Sequence, residues 1–278
     1  KRVVEFIVSR GAVAGIQLAH AGRKGSDAPP FDYDGKEGTV QARDGGWTTV
    51  APSAVAYPGN DVPHELTLEE LPAIVTAWAD AARRAVRAGF RVIEIHAAHG
   101  YLLHQFLSPL SNDRTDDYGG PLENRARLLL EVTRAIRDVI GNDVALFIRF
   151  SATDWAEGGW NEQETSIVAD WALEAGADVA DISAGGNVSG VKITTGPGYQ
   201  VPLAMYVKEH SHLPVTTVGL ITEAKMANDI VESGKADAVM IGREMLRDPH
   251  FALRAASELN AEIDYWPGQY QWARPSRG

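Results

Sequence analysis

The 278-residue sequence contains no cysteine. This absence excludes disulfides, thiolate metal sites, cysteine-ligated iron–sulfur clusters and cysteine nucleophiles. A chain without thiols suits a reducing compartment, and we expect a cytoplasmic protein.

Long apolar runs and an excess of positive charge are also missing. No run approaches the ~18 apolar residues that a transmembrane helix requires, so no membrane partner is expected. Asp and Glu number 37 against 26 Lys and Arg, which gives a net charge of -11. An acidic surface repels phosphate backbones, and this disfavours nucleic acid as a partner.

Short apolar segments alternate with segments of helical periodicity along the chain. Six strands are predicted, at roughly residues 16–20, 92–96, 144–149, 179–183, 215–218 and 238–241. Helices are predicted at about residues 1–10, 67–87, 121–141, 161–175, 202–210 and 222–234. This alternation, with nearly continuous apolar strands, is typical of βαβ units and a parallel sheet.

Polar residues at helix starts define several of these boundaries. Thr67 with Glu70, and Asn161 with Glu164, have the spacing of a capping box. Thr222 is predicted to cap the last of these helices.

The strand count predicts an α/β fold, a TIM (β/α)8 barrel of which this chain holds strands 3–8. Two further βα units, on the order of 60 residues at ~30 per unit, are then expected before Lys1. A doubly wound sheet needs no further strands, but residues 19–23 match its Gly-rich phosphate loop poorly. We expect one domain over residues 1–278, with a long loop at 25–65 on the active-site side and a tail at 260–278.

Polar residues recur where the predicted strands end. They are Gln17, His20, His96, His99, Arg149, Ser183, Gly219, Gly242 and Arg243. In a barrel the carboxyl ends of the strands share one face, and that face holds the active site. Each residue alone has a structural explanation, for example Arg149 as a salt-bridge partner, but the repeated placement favours function.

His96 and His99 admit two chemical interpretations. As a metal pair they would serve a metal-dependent lyase or hydrolase, although Glu94 is the only nearby carboxylate. As neutral donors they would both hydrogen-bond to one oxygen of a substrate and polarise it. Tyr101 lies close enough in sequence to act as a proton donor.

The last two strands end in glycines. Gly219 and Gly242 would let backbone N–H groups approach an anion, and Arg243 adds a fixed charge. The loops after the last two strands of such barrels are a common phosphate site.

Four segments carry a resemblance to a known family. They are Ile16–Lys24 (IQLAHAGRK), His96–Pro109 (HAAHGYLLHQFLSP), residues 117–125 (DYGGPLENR), and residues 218–222 (VGLIT) with 241–243 (IGR). In this order they resemble the old yellow enzymes, which are FMN-dependent NADPH dehydrogenases and ene-reductases. The His-x-x-His spacing is similar to the thermophilic-like and xenobiotic-reductase branch.

The resemblance implies a cofactor site. Gln17 would bind the pyrimidine edge of FMN, and Arg149 would lie near its N1 and O2 atoms. Gly219, Gly242 and Arg243 would hold the phosphate. NADPH or NADH would be the electron donor.

The resemblance also implies the reaction and its residues. His96 and His99 would bind the carbonyl or nitro oxygen of an activated alkene. Hydride would pass from NAD(P)H through FMN to the β-carbon, and Tyr101 would protonate the α-carbon. A homo-oligomer, a dimer or tetramer, is implied as well, with the tail residues Trp272 and Arg274 as candidates for contact with a neighbouring site. Two alternatives stay open: the metal-dependent enzyme, and an inactive barrel fragment.

Overall fold

The computed structural model describes residues 1–29, 38–263 and 265–273. Residues 30–37 of the predicted long loop, and Arg274 in the tail, lie outside the described residues.

All six predicted strands are present, and their ends agree with the prediction to within a few residues. In chain order the strands are β1 (Gly15–Leu18), β2 (Val50–Ala51), β3 (His64–Glu65), β4 (Val92–Ala97), β5 (Ala145–Ser151), β6 (Val179–Ser183), β7 (Val215–Thr217) and β8 (Ala238–Val239). β1 and β4 to β8 form one sheet in the order β1-β4-β5-β6-β7-β8. Every pairing within it is parallel, which confirms the predicted α/β architecture.

The helices lie between these strands. They are α1 (Arg2–Ser9), α2 (Leu71–Ala88), α3 (Leu102–Leu107), α4 (Leu122–Ile140), α5 (Glu162–Glu174), α6 (Val201–His210), α7 (Ala224–Glu232), α8 (Arg243–Arg247) and α9 (Phe251–Glu258). α3, α8 and α9 were not predicted. All six residues of α3 are buried, so its sequence lacks the apolar stripe that marks an amphipathic helix.

The capping box at α5 forms only in part. The Asn161 side chain accepts a hydrogen bond from the Glu164 N–H at 2.9 Å, as predicted. The Glu164 carboxylate does not return to the cap residue, because it forms an ion pair with the buried Arg125 at 2.5 Å.

The other two capping predictions need correction. The Thr67 N–H does donate to the Glu70 carboxylate at 2.8 Å, but α2 begins only at Leu71, so this contact lies before the helix. The prediction that Thr222 caps α7 is wrong. The N-cap residue is Glu223, and no side chain caps the helix there.

The long predicted loop has some structure of its own. β2 and β3, two residues each, pair in parallel as a small second sheet. Strands this short are defined by their pairing rather than by a sequence pattern, and so they were not predicted.

The two faces of the main sheet differ in chemistry because successive strand residues point to opposite sides. On β4, Ile93 and Ile95 belong to the apolar core that the helices cover. Glu94 and His96 alternate with them and point to the opposite face, where both are buried. The register places His96 beside Arg149, and Arg149 beside Asp181. The face opposite the helices is therefore polar.

The two ends of the main sheet do not meet. Within the described residues β1 pairs only with β4, and β8 pairs only with β7. The six strands are thus an open arc of parallel sheet. None of the helices in the described part of the chain combines the length and apolarity needed to cross a bilayer.

Candidate active site

A tight turn directly after β4 carries two of the predicted site residues. The Tyr101 N–H donates to the Ala98 carbonyl at 3.1 Å and closes the turn. Its central residues, His99 and Gly100, have φ angles of 58° and 71°. Positive φ at both positions is the pattern of a type I′ turn. A non-glycine residue such as His99 adopts it at a cost of about 1–2 kcal/mol, so the surroundings must hold it.

Side chains from other elements hold the backbone of His99. Its N–H donates to the Ser151 hydroxyl at 2.9 Å. Its carbonyl accepts from the Lys24 ammonium at 3.0 Å, and the same ammonium donates to the Gly186 carbonyl at 2.9 Å. These contacts from β5 and from the segment after β1 compensate the backbone strain at His99.

The two imidazoles lie edge to face and are linked by hydrogen bonds. Their centroids are 5.1 Å apart and their planes meet at 89°. The Ala98 N–H donates to His96 Nδ1 at 3.2 Å, so neutral His96 carries its proton on Nε2. That atom lies 3.4 Å from His99 Nδ1, and His99 Nε2 lies 2.7 Å from the Ser183 hydroxyl. In this arrangement the His96 N–H is directed at His99 and the His99 N–H at Ser183.

Both histidines are neutral over the physiological range. Burial lowers the pKa of His96 to about 4, and the charge of Arg149 adds to this effect. Burial also lowers the pKa of His99 to about 3, with His96 and Arg149 contributing. Neutral imidazoles that each carry one N–H donor suit the recognition of an oxygen atom.

Tyr101 lies next to His96 at the start of α3. The ring centroids are 4.9 Å apart and the planes meet at 80°. The Lys24 ammonium lies 5.5 Å from the Tyr101 ring centroid. The Tyr101 hydroxyl forms no hydrogen bond within the described residues, so it remains available to a ligand.

A layer of polar side chains lies on the same face of the sheet. Gln17 donates to the Glu94 carboxyl at 2.7 Å, and Thr216 donates to Asp181 at 2.8 Å. Arg149 lies 3.4 Å from Asp181, so this arginine has the ion-pair partner that a structural role would require. Burial and the nearby Asp181 raise the pKa of Glu94 to about 7. Burial also raises the pKa of Asp181, although Arg149 acts to lower it.

A cavity of about 390 Å³ brings most of the predicted cofactor residues together. His99 and Arg149 line one part of it, and Gly219, Gly242 and Arg243 line another. These residues come from four different strand ends, as the barrel prediction requires.

Four predicted residues, Gln17, His20, His96 and Tyr101, do not line this cavity. The His96 ring contacts those of His99 and Tyr101, and Gln17 is exposed on the edge strand β1. Tyr199 and Gln200 are among the lining residues that were not predicted. They stand just before α6 in a loop of about 17 residues after β6, and the length of that loop was the available signal.

The end of the cavity near β7 and β8 is suited to an anion. Gly219 has a φ of 125° and Leu220 a φ of 53°, so the backbone turns sharply there. A Cβ added to Gly242 would meet no heavy atom within 4 Å, which leaves its backbone open to a ligand. Arg243 is exposed and has no ion-pair partner in the described part of the chain.

The metal interpretation of His96 and His99 has no geometric support. Glu94, its only candidate carboxylate, is hydrogen-bonded to Gln17 instead. Over the described ranges, no three His, Asp or Glu side chains are arranged to hold a metal ion.

The sequence is similar to those of known oxidoreductases. Residues 1–262 match the model of the NADH:flavin oxidoreductase / NADH oxidase family. The chain is 43% identical over 271 residues to an NADPH dehydrogenase of Bacillus subtilis (strain 168), covering 97% of this chain and 74% of that protein. It is 42% identical over 270 residues to an NADPH dehydrogenase of Geobacillus thermodenitrificans, covering 97% of this chain and 73% of that protein.

Solved structures are similar over nearly the whole chain. Morphinone reductase in complex with tetrahydroNAD superposes with a TM-score of 0.72 at 26% identity, over 96% of this chain and 71% of that one. A 2-naphthoyl-CoA reductase in complex with 2-naphthoyl-CoA superposes with a TM-score of 0.79 at 30% identity, over 94% of this chain. The present chain spans only 40% of that larger reductase.

Proposed function

Because the chain belongs to the NADH:flavin oxidoreductase / NADH oxidase family, the FMN-dependent NAD(P)H oxidoreductases of old yellow enzyme type, we propose that it is an ene-reductase. Its substrates are α,β-unsaturated carbonyl or nitro compounds, and it reduces their C=C bond. The observation that carries this proposal is the pair of neutral, perpendicular imidazoles beside the cavity, with Tyr101 next to them.

The cavity residues fit FMN. Arg149 Nε and Gln200 Oε1 are buried without a hydrogen-bond partner in the described part of the chain, so they have capacity for a polar ligand. Arg243, with the backbone of Gly219 and Gly242, would hold the phosphate. Arg149 would lie at the opposite end, where its charge favours an electron-rich ring. Bound FMN would supply the hydride-carrying group between the nicotinamide and the alkene.

Gln17 would contribute through the orientation of its amide. Its Nε2 donates to Glu94, so its carbonyl oxygen is the free end that would accept an N–H from the cofactor. Glu94 thereby sets which end of the Gln17 amide faces a ligand.

His96 and His99 would bind the acceptor oxygen. The 3.4 Å contact between His96 Nε2 and His99 Nδ1 is long, and an incoming oxygen offers His96 a better partner. His99 Nε2 would turn its N–H from Ser183 to the same oxygen. Two donors on one carbonyl or nitro oxygen withdraw electron density from the alkene, which makes its β-carbon more electrophilic.

Tyr101 would give the proton to the α-carbon. Its hydroxyl is free, and its ring is held against His96 and near Lys24. The phenol would therefore be presented beside the bound oxygen, where the α-carbon of the acceptor lies.

Product analysis with a cyclic enone, NADPH and FMN tests the proposal. We expect the saturated ketone, formed in a one-to-one ratio with NADPH consumed. Oxidation of NADPH with no saturated product would show a diaphorase or oxidase instead.

A further inference from the structure

The turn that carries His99 and Tyr101 is held by two side chains that do not belong to the proposed site. The Gly100 N–H donates to His104 Nδ1 at 2.9 Å, and the Gly100 carbonyl accepts from Gln105 Nε2 at 2.7 Å. His104 and Gln105 are adjacent on α3, and neither is exposed. Both polar groups of one residue in the turn are thus bound by buried side chains.

The position of Gly100 admits no side chain. Its φ of 71° lies in the left-handed region, and an added Cβ would come within 2.4 Å of the Gly186 carbonyl oxygen. Gly100 also separates His99 from Tyr101, two of the three residues that would touch the acceptor. Any rotation of its peptide groups would therefore change the direction of His99 or of Tyr101.

A buried network anchors His104. Because its Nδ1 accepts an N–H, a neutral ring carries the proton on Nε2, which lies 3.1 Å from Asp154 Oδ1. The other oxygen of Asp154 accepts from the Ser108 hydroxyl at 2.5 Å and from the Trp160 N–H at 3.0 Å. Burial acts to raise the pKa of Asp154, but these contacts and the contact with His104 outweigh it and lower the pKa. Asp154 therefore faces the His104 ring as an anion, at ion-pair distance from Nε2.

We propose that His104 is a positioning residue for alkene reduction: it accepts the Gly100 N–H and thereby sets the relative orientation of His99 and Tyr101. This inference rests on the proposed function. His104 touches no ligand itself. The essential atom is Nδ1, and the Asp154 contact serves only to keep that atom directed at Gly100.

Two substitutions separate the two ends of the imidazole. In His104→Asn the amide oxygen reaches the position of Nδ1, so the acceptor for Gly100 is kept and the contact with Asp154 is lost. In His104→Gln the amide reaches towards Asp154, and the acceptor for Gly100 is lost. Both variants remove the imidazole ring, but His104→Asn keeps its contact with Gly100 and His104→Gln keeps its contact with Asp154.

The readouts are the rate of flavin reoxidation by a cyclic enone, the rate of flavin reduction by NADPH, and hydrogen exchange of the Gly100 amide. We expect His104→Gln to slow the reoxidation step about 10- to 100-fold, as a small misplacement of reacting groups does. The NADPH step and FMN affinity should stay unchanged, and the Gly100 amide should exchange faster. In His104→Asn the Gly100 amide should exchange as slowly as in the wild type, and most of the wild-type reoxidation rate should be retained.

Two results would overturn the proposal. One is an equal loss of reoxidation rate in both variants, which would make His104 a purely structural residue. The other is a slow reoxidation step in His104→Gln with the Gly100 amide exchanging at the wild-type rate. If the wild-type chain reduces no activated alkene, the proposed function fails, whereas the exchange comparison still reports whether His104 holds the turn.

Gln105→Met keeps the test decisive if His104→Gln does not fold. Met has nearly the same shape as Gln but cannot donate to the Gly100 carbonyl. The turn would be released from its other side, so the same selective slowing of the reoxidation step is expected. A wild-type reoxidation rate in Gln105→Met would contradict the claim that the geometry of this turn matters.

Discussion

His96 Nε2 lies 3.4 Å from His99 Nδ1, and the two imidazole planes are perpendicular. This arrangement leaves the two histidines as unequal donors. The His96 N–H has only a long contact, whereas the His99 N–H already has a close partner in Ser183 at 2.7 Å. The account of acceptor binding depends on both N–H groups turning to one oxygen.

The first prediction concerns the donor on His99. His99→Ala should slow flavin reoxidation by an enone about 10²- to 10³-fold, the usual cost of removing one donor to a developing negative charge. His99→Asn retains an N–H donor and should lose much less. Stopped-flow measurement of the two half-reactions checks this. If His99→Ala instead slowed flavin reduction by NADPH and left reoxidation by the enone unchanged, His99 would not be a donor to the acceptor oxygen.

The second prediction concerns pH. Since the pKa values of His96 and His99 are lowered to about 4 and about 3, neither ring gains a proton until well below neutral pH. The affinity for an uncharged acceptor should therefore show no imidazole titration between about pH 5 and about pH 8. Binding measured across that range checks this. An inflection near pH 6.5 that disappears in His96→Asn would contradict the assigned neutral forms.

The third prediction concerns Tyr101. Tyr101→Phe keeps the ring against His96 but removes the hydroxyl, so reduction of an enone should slow about 10²-fold or more. Tyr57→Phe is the matched control, because the Tyr57 ring also contacts the Lys24 ammonium, with Nζ 4.7 Å from its centroid. Steady-state rates with one enone compare the two variants. Equal rates in Tyr101→Phe and wild type would exclude Tyr101 as the proton donor.

The fourth prediction concerns the cofactor. Arg243→Ala should weaken FMN binding about 10- to 100-fold, since a charged hydrogen bond to phosphate is lost. Riboflavin, which lacks the phosphate, should bind both forms equally. Arg134→Ala, an exposed arginine on α4, is the control. Quenching of flavin fluorescence measures both ligands. An equal loss of riboflavin affinity would indicate that Arg243 acts through folding.

The fifth prediction concerns the buried carboxyl pair. With its pKa raised to about 7, folded Glu94 keeps a proton that the unfolded chain releases near pH 4.5. Wild-type stability should therefore lose this contribution as the pH rises from about 5 to about 8, by up to about 3 kcal/mol. Glu94→Gln cannot ionise and still accepts from Gln17, so it should become the more stable form at high pH. Urea unfolding at several pH values checks this. A stability difference between the two proteins that does not change with pH would contradict the raised pKa of Glu94.

Features with a local sequence signal were predictable. The strand ends around His96, Arg149 and Gly219 were found because short apolar runs stop at polar residues or glycine. The cavity that joins His99 to Arg243 followed from the rule that parallel strands end at one face.

Features that depend on tertiary structure could not be predicted from the sequence. α3 is buried on every side, so its periodicity is absent and His104 had no distinguishing pattern. The approach of Glu94 to Asp181 depends on strand register, which short sequence windows do not contain. The role of Trp272 in the tail stays a prediction, and so does the homo-oligomer.

An anaerobic titration of the FMN-loaded chain followed at the flavin absorbance tests the central claim most directly. We expect NADPH to bleach the absorbance and an α,β-unsaturated ketone then to restore it, with one saturated ketone formed per flavin. Failure of the chain to take up FMN, or a flavin that stays bleached after the ketone is added, would contradict it.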